Sequence, residues 1–214
     1  MQNKGISKQT LRRLPLYLDY LKAQPDDGRV TISANAIALA LDMGEVKVRK
    51  DLAAVSTAGR PKVGYLLGDL RRDLERYLYC DSLQRTVLVG AGALGRALLE
   101  YDGFMDYGLH ILAAFEREEW LVGTHLNTVP VLPAEEITAF CRENGVHMGI
   151  LTVPPDAAQE CLDAMVQGGV TAVWSFVPTH LNAPQGVLVQ QENMAGTLAI
   201  LTQHLKGNET TDIN

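Results

Sequence analysis

The sequence predicts an α/β protein: an N-terminal winged helix-turn-helix domain, a Rossmann-like parallel-sheet domain after it, and a closing C-terminal helix. Three observations predict this. An apolar run, "RTVLV", enters the glycine pattern "GAGALG" at residues 90–95 and continues as "RALLEY", the strand, turn and helix of a dinucleotide site. Ahead of it, "TISANAIALALDMGEVKVRKDLAAV" reads as two short helices around a turn, followed by a basic segment punctuated by Gly and Pro. Charge divides at the same place: residues 1–80 carry 14 Lys/Arg against 9 Asp/Glu, and residues 81–214 carry 5 against 16. Only the first part has the charge to meet a polyanion.

The expected organisation is a winged-helix domain at 1–80, a Rossmann domain at 81–190, a C-terminal helix at 191–206 and a flexible tail at 207–214. With 47% apolar residues and a mean hydropathy near zero, each of the two larger parts can bury a core. No run approaches the ~18–20 apolar residues of a membrane span, and "MQNKGISKQT" lacks the apolar core of a secretion signal, so a cytoplasmic protein is expected. Cys80, Cys141 and Cys161 are widely spaced and form no ligand cluster, so they are expected to be reduced structural thiols, with no metal.

In the first part, Leu11, Leu14, Leu18 and Leu21 make one apolar helical stripe capped by Ser7, with Pro15 kinking the helix or delaying its start. Ser33 caps a helix through Leu41, Gly44 supplies the turn, and a second helix begins near Glu45. On that second helix Val48, Leu52 and Val55 face the core. Lys47, Lys50 and Ala54 share an outer face with Arg49 beside it, the basic, short-chained surface that a recognition helix presents to a major groove. Gly59, Pro61 and Gly64 then mark a turn with Arg60 and Lys62 at its tip, and Val63 and Tyr65 begin a short strand, as in a wing. A further helix, "LGDLRRDLERYLY", leads into the second part.

The fingerprint meets its physical requirements in order. Gly90 makes the tight turn, Gly92 lets the backbone approach a pyrophosphate, and Gly95 allows close helix packing, with Ala91, Ala93 and Leu94 between them. A second strand, "LHILAAF", ends at Glu116, 21 positions beyond Gly95, where an acid accepts the ribose diol and favours NAD(H) over its 2′-phosphorylated form. Arg117 beside it pulls the other way. The strands "HMGILTV" and "TAVWSFV", a helix between them and a short "GVLVQ" complete a parallel sheet. Thr152, Val153 and Pro154 end one strand, Ser175 and Phe176 the next, and they should line the nicotinamide side. His110, His125, His147, His180 and His204 are scattered, and none pairs with an acid or nucleophile as proton-transfer chemistry requires.

The segments "TLRRLPLYLDYL", "VRKDL", "KVGY", "GAGALGRALL", "AAF", "ILTVP" and "FVP" together resemble the Rex family of bacterial redox-sensing repressors, from about residue 6 to 205. The resemblance implies a homodimer that binds an inverted repeat of double-stranded DNA and releases it when NADH rather than NAD⁺ is bound. It places DNA contacts at Arg12, Arg49, Lys50, Arg60 and Lys62. It links Tyr101 to domain movement, sets Phe176 near the nicotinamide, and makes the last helix a dimerisation element inserted into the partner, with Met194, Leu198 and Leu201 as its apolar contacts. The chain departs from the family pattern at Ala54-Val55-Ser56-Thr57, where an aromatic and glycine-rich run is usual. It also departs at Glu116, usually Asp, and at Ser175, usually Asn or Asp.

Two other readings stay open on the residues alone. A small NAD-dependent oxidoreductase would need a proton donor beside the nicotinamide. A nucleotide- or CoA-binding accessory protein would share the sheet but have less use for Glu116.

Overall fold

The computed structural model describes residues 6–28, 30–78 and 83–209. Cys80 and the tail from 210 onward, both assigned above, lie outside the described residues. The chain folds as two compact units, one ending at Ser82 and taking in Met105–Gly108 as well, the other made of Leu83–Phe104 and everything from Leu109.

In the first unit, α1 (Lys8–Lys22) is capped by Ser7, whose side chain accepts from the Thr10 N–H. The helix continues past Pro15, which removes one donor, that for the Leu11 carbonyl, without ending the helix, so Pro15 does not delay its start. Leu14, Tyr17, Leu18 and Leu21 are fully buried, whereas Leu11 is exposed and leaves the expected stripe. The helices α2 (Ala34–Ala40) and α3 (Glu45–Val55) form the helix-turn-helix. The residue with positive φ between them is Asp42, at 51°, and not Gly44, which sits at φ −71° as the cap of α3. The reason is a Schellman closure: Met43 N–H donates to the Ala38 carbonyl and Asp42 N–H to that of Leu39. Asp is among the few residues that enter the left-handed region readily.

The strands β1 (Thr31–Ile32) and β2 (Tyr65–Leu66) pair antiparallel. Between α3 and β2 the chain closes a small hairpin in which Arg60 and Gly64 exchange backbone hydrogen bonds of 2.8 and 2.9 Å. Val63 lies in that turn and is exposed, so the strand starts only at Tyr65. Next comes α4 (Leu67–Tyr77), which buries Leu67, Leu70 and Leu74 in the same core as α1 and α3.

The second unit is a seven-stranded sheet. Its strands are β3 (Gln84–Val89), β4 (Leu109–Glu116), β5 (His125–Leu126), β6 (Val129–Pro133), β7 (Met148–Leu151), β8 (Ala172–Ser175) and β9 (Leu188–Gln191). They lie in the order β5-β6-β4-β3-β7-β8-β9, and every neighbouring pair is parallel except β5 with β6. Setting β5 aside, the order is that of a doubly wound nucleotide fold, which reverses between β3 and β7. Helices α5 (Ala93–Leu99), α6 (Ile137–Glu143) and α7 (Ala158–Gln167) cover the sheet. Alternation divides the core between its two faces: Val87 and Val89 pack with Ile137, Cys141, Leu162 and Met165, while Leu88 packs with Leu99, Ala114 and Ile150.

The last helix, α8 (Met194–Glu209), begins three residues later than expected and continues three residues into the segment expected to be a tail. Gly207 does not stop it, because a glycine inside a helix costs only about 1 kcal/mol.

Candidate dinucleotide site and nucleic-acid interface

The order reversal places Gly90, after β3, beside Thr152, after β7. Thr152 Oγ1 donates to the Gly90 carbonyl at 2.7 Å, and Thr152 N–H to that of Val89 at 2.9 Å. Gly90 has φ +99°, and a Cβ there would lie 2.8 Å from the Thr152 backbone. A Cβ on Gly95 would lie 2.0 Å from the Gly90 carbonyl oxygen, so this glycine fixes how closely α5 packs on its strand. Around Gly92 there is no atom within 4 Å of such a Cβ, which leaves its backbone open to an approaching ligand. Ala91 is buried, and Ala93 and Leu94 face outward at the start of α5.

Glu116, at the tip of β4, is turned toward the glycine loop. Its Oε2 accepts from Ala91 N–H at 2.8 Å and its Oε1 from Arg117 N–H at 2.7 Å. The carboxylate thus already stands over the fingerprint. Val89, Gly90, Phe115, Glu116, Val153, Pro154 and Cys161 line one small cleft. Arg117 Nη2 reaches 2.5 Å to Glu160 on α7. Burial pushes the Cys161 thiol up, and that of buried Cys141 up to about 11, so both stay protonated as expected of structural cysteines.

On the other side of the switch point four rings form an array. Tyr101 meets Phe104 edge-on at 4.9 Å, Phe104 meets Trp174 at 5.8 Å, and Trp174 meets Phe176 at 4.7 Å. Exposed Tyr101 and half-buried Phe176 are therefore linked through two aromatic residues that sequence reasoning did not single out. Trp174 is held in turn by Glu192, which accepts from its indole N–H at 2.8 Å. Ser175 is fully buried and its Oγ accepts from Val177 N–H, so it presents no surface to a partner chain. His110 and His147 are exposed.

In the first unit Lys47, Arg49, Lys50 and Ala54 of α3 are all exposed, as are Arg12, Arg60 and Lys62, and Lys62 adopts φ +65° at the hairpin tip. Arg49 forms an i,i+4 contact of 3.4 Å with Glu45. A shallow groove lined by Ser7, Thr10, Arg13, Lys47, Lys50 and Ala54 runs between α1 and α3. Its floor holds Asp51, which accepts from Arg13 at 2.7 and 3.0 Å and from the Tyr17 hydroxyl at 2.8 Å. This triad escaped sequence reasoning, although an acid at position 51 between Val48 and Leu52 on the apolar side of α3 was its signal.

On α8, Met194, Leu198 and Leu201 are 59, 64 and 57% exposed. Ile200 and Leu205, not singled out from the sequence, are 73 and 64% exposed. Among the described residues no cluster could hold a metal ion, and no helix is long and apolar enough to cross a membrane.

Residues 5–53 match the family model described as the N-terminus of putative DNA-binding proteins, and residues 81–179 match the CoA binding domain model. The redox-sensing transcriptional repressor Rex of Bacteroides fragilis is 37% identical over 95% of this chain and 93% of its own. That of Porphyromonas gingivalis is 38% identical over 94% and 92%. The chain belongs to the Rex family. Among solved structures, the Rex-family repressor RSP in complex with β-NAD⁺ and operator DNA superposes with a TM-score of 0.89, at 28% identity over 98% of this chain and 96% of that one. RSP in complex with β-NADH gives 0.85 over 97% of each. After α3, Ser56 is buried and its hydroxyl donates to Asp73 of α4 at 2.6 Å. The junction between α3 and the hairpin is thus closed by a polar bond.

Proposed function

We propose that the protein is a redox-sensing transcriptional repressor, a homodimer that binds an inverted-repeat operator and is released by NADH. The observation that carries this reading is the pairing, in one Rex-family chain, of an open glycine fingerprint at a fold reversal with an exposed basic recognition helix. Lys47 faces the base edges, with Lys50, Arg49, Arg12, Arg60 and Lys62 as phosphate contacts. Gly90 to Gly95 and Glu116 take the adenosine diphosphate half, while Thr152, Val153, Pro154 and Phe176 border the nicotinamide. A bound dinucleotide supplies no reaction here; it adds interaction energy to one state of the protein. The protein is not an enzyme on this reading, and it works in the cytoplasm.

The chain's own residues would do three things. Ala91 N–H and the Gly92 backbone N–H donate to a pyrophosphate without a side chain in the way. Glu116, now bonded to Ala91, moves its acceptors to a ribose diol. The array from Phe176 to Tyr101 ties the nicotinamide end to an exposed tyrosine. A tenfold preference of NADH for the DNA-released state amounts to about 1.4 kcal/mol of bias per site. The dimer is built on α8, whose apolar side chains its own subunit leaves exposed.

The test is fluorescence anisotropy of the purified dimer on a labelled inverted repeat at fixed salt, with NAD⁺ and then NADH. Binding kept with NAD⁺ and lost with NADH supports the reading, and indifference to both overturns it. The match to the CoA-binding model favours CoA as the rival ligand, so CoA is the competitor to include.

A further inference from the structure

Arg117 follows Glu116 at the tip of β4, where the adenosine ribose of a dinucleotide lies in this fold. An acid there accepts the free 2′-hydroxyl, and an arginine there accommodates a 2′-phosphate. Two neighbouring side chains of opposite preference thus share one subsite. The structure turns them apart. Glu116 bonds inward to Ala91 N–H at 2.8 Å, while Arg117 is drawn across to α7, its guanidinium 2.5 Å from Glu160. Arg117 and Glu160 border one small cleft together with Ala134, Glu135, Ile137, Cys161 and Ala164. Among the described residues Glu160 is the one acid within ion-pair distance of Arg117.

We propose that Glu160 is a specificity-determining positioning residue: by holding and neutralising Arg117 it denies a 2′-phosphate its cation, and so keeps the site selective for NAD(H) over NADP(H). This rests on the dinucleotide reading above and extends it to a residue of α7, outside the glycine loop and the tip of β4. Both side chains are exposed, Arg117 at 51% and Glu160 at 76%, so the pair is a tuning device rather than an anchor. A guanidinium matches a phosphate in a bidentate fork as well as it matches a carboxylate. Once Glu160 is neutral, Arg117 is available to whichever anion enters the subsite.

The experiment titrates NADH and NADPH separately into the full-length dimer by calorimetry, for the wild type, Glu160→Gln, Arg117→Ala and the double variant. Glu160→Gln is expected to tighten NADPH by roughly threefold to fivefold, the scale of one exposed ion pair, and to leave NADH within about twofold. The gain is expected to vanish in the double variant and to shrink as salt is raised. Equal changes for both nucleotides, no change for either, or a gain that persists without Arg117 would each overturn the proposal while leaving the NADH reading intact. A wild-type protein that binds neither nucleotide overturns both.

Discussion

Asp51 joins α3 to α1 through Arg13, whose Nε and Nη2 donate to its two carboxylate oxygens at 2.7 and 3.0 Å. Asp51 is 5% exposed and also receives the Tyr17 hydroxyl, so one carboxylate satisfies three donors from two residues of α1 and ties α3 to it. Asp51→Ala would strand a mostly buried guanidinium and a buried phenol, at a cost of about 2–4 kcal/mol. Thermal melts should show the loss, and operator affinity should fall although Asp51 is buried and offers DNA no contact of its own. Asp51→Asn keeps the shape and one acceptor and should lose less. If both variants melt with the wild type, the triad does not hold the helix.

The same triad sets a pH dependence. Burial pushes the Asp51 carboxyl up, but the hydrogen bonds from Arg13 and Tyr17 outweigh it and leave it below the usual range. Its contribution is therefore complete above the unfolded value of about 4 and is lost as pH falls through the folded one. Burial and the bond to Asp51 push Tyr17 up to about 12, so its contribution is complete below about pH 10 and is lost as pH rises toward 12. The stability difference between the wild type and Tyr17→Phe should shrink across that alkaline interval. A difference that stays flat from pH 9 to 12 contradicts the assignment.

Two glycines of the fingerprint should separate folding from binding. A methyl on Gly95 meets the Gly90 carbonyl at 2.0 Å, so Gly95→Ala should cost about 1–3 kcal/mol. A methyl on Gly92 meets nothing within 4 Å, so Gly92→Ala should melt within a few degrees of the wild type. It should nonetheless weaken NADH by about tenfold or more, because the methyl stands where the pyrophosphate approaches. Calorimetry and melting curves on the two proteins decide it.

What the sequence shows of this fold follows from where its signals are local. The fingerprint, the Ser7 and Ser33 caps and the basic face of α3 depend on residues within one turn of each other, and the structure has them all. The pair β5 and β6 was not legible, because Pro130 and Pro133 interrupt the alternation of Val129 and Val131. Asp42 hid behind Gly44, since glycine is the default for positive φ and only the Schellman bonds show that it was not needed. The triad of Arg13, Tyr17 and Asp51 and the bond of Arg117 to Glu160 span 38, 34 and 43 residues, distances at which no periodicity operates.

Helix α8 leaves Met194, Leu198, Ile200, Leu201 and Leu205 each more than half exposed. A helix whose apolar side chains on several faces are left uncovered by the described residues offers the surface on which the proposed dimer is built. Leu198→Asp with Leu201→Asp should convert the protein to a monomer in light scattering. The monomer should lose operator binding, since one recognition helix reads only one half-site. Nucleotide binding should survive, because the fingerprint lies elsewhere. A doubly substituted protein that remains a dimer would remove α8 from the interface.

Lys47 and Lys50 stand exposed on the outward face of α3, and Arg49 beside them is partly engaged by Glu45 at 3.4 Å. The two lysines have no acid within ion-pair distance among the described residues, so their charge is free for a polyanion. A lysine that only neutralises phosphate contributes to every DNA sequence alike, and its removal lowers the salt slope by about one unit. One that reads a guanine edge instead costs about 1–3 kcal/mol on the operator alone. Lys47→Ala and Lys50→Ala should therefore be compared on operator and scrambled duplexes across a salt series. Lys50, one turn further from the helix start, is expected to show the uniform loss and the shallower slope of a phosphate contact. Lys47, in the first turn, where recognition helices meet base edges, is expected to lose operator binding selectively. Identical behaviour of both variants on both duplexes would mean that α3 holds the backbone without reading the sequence.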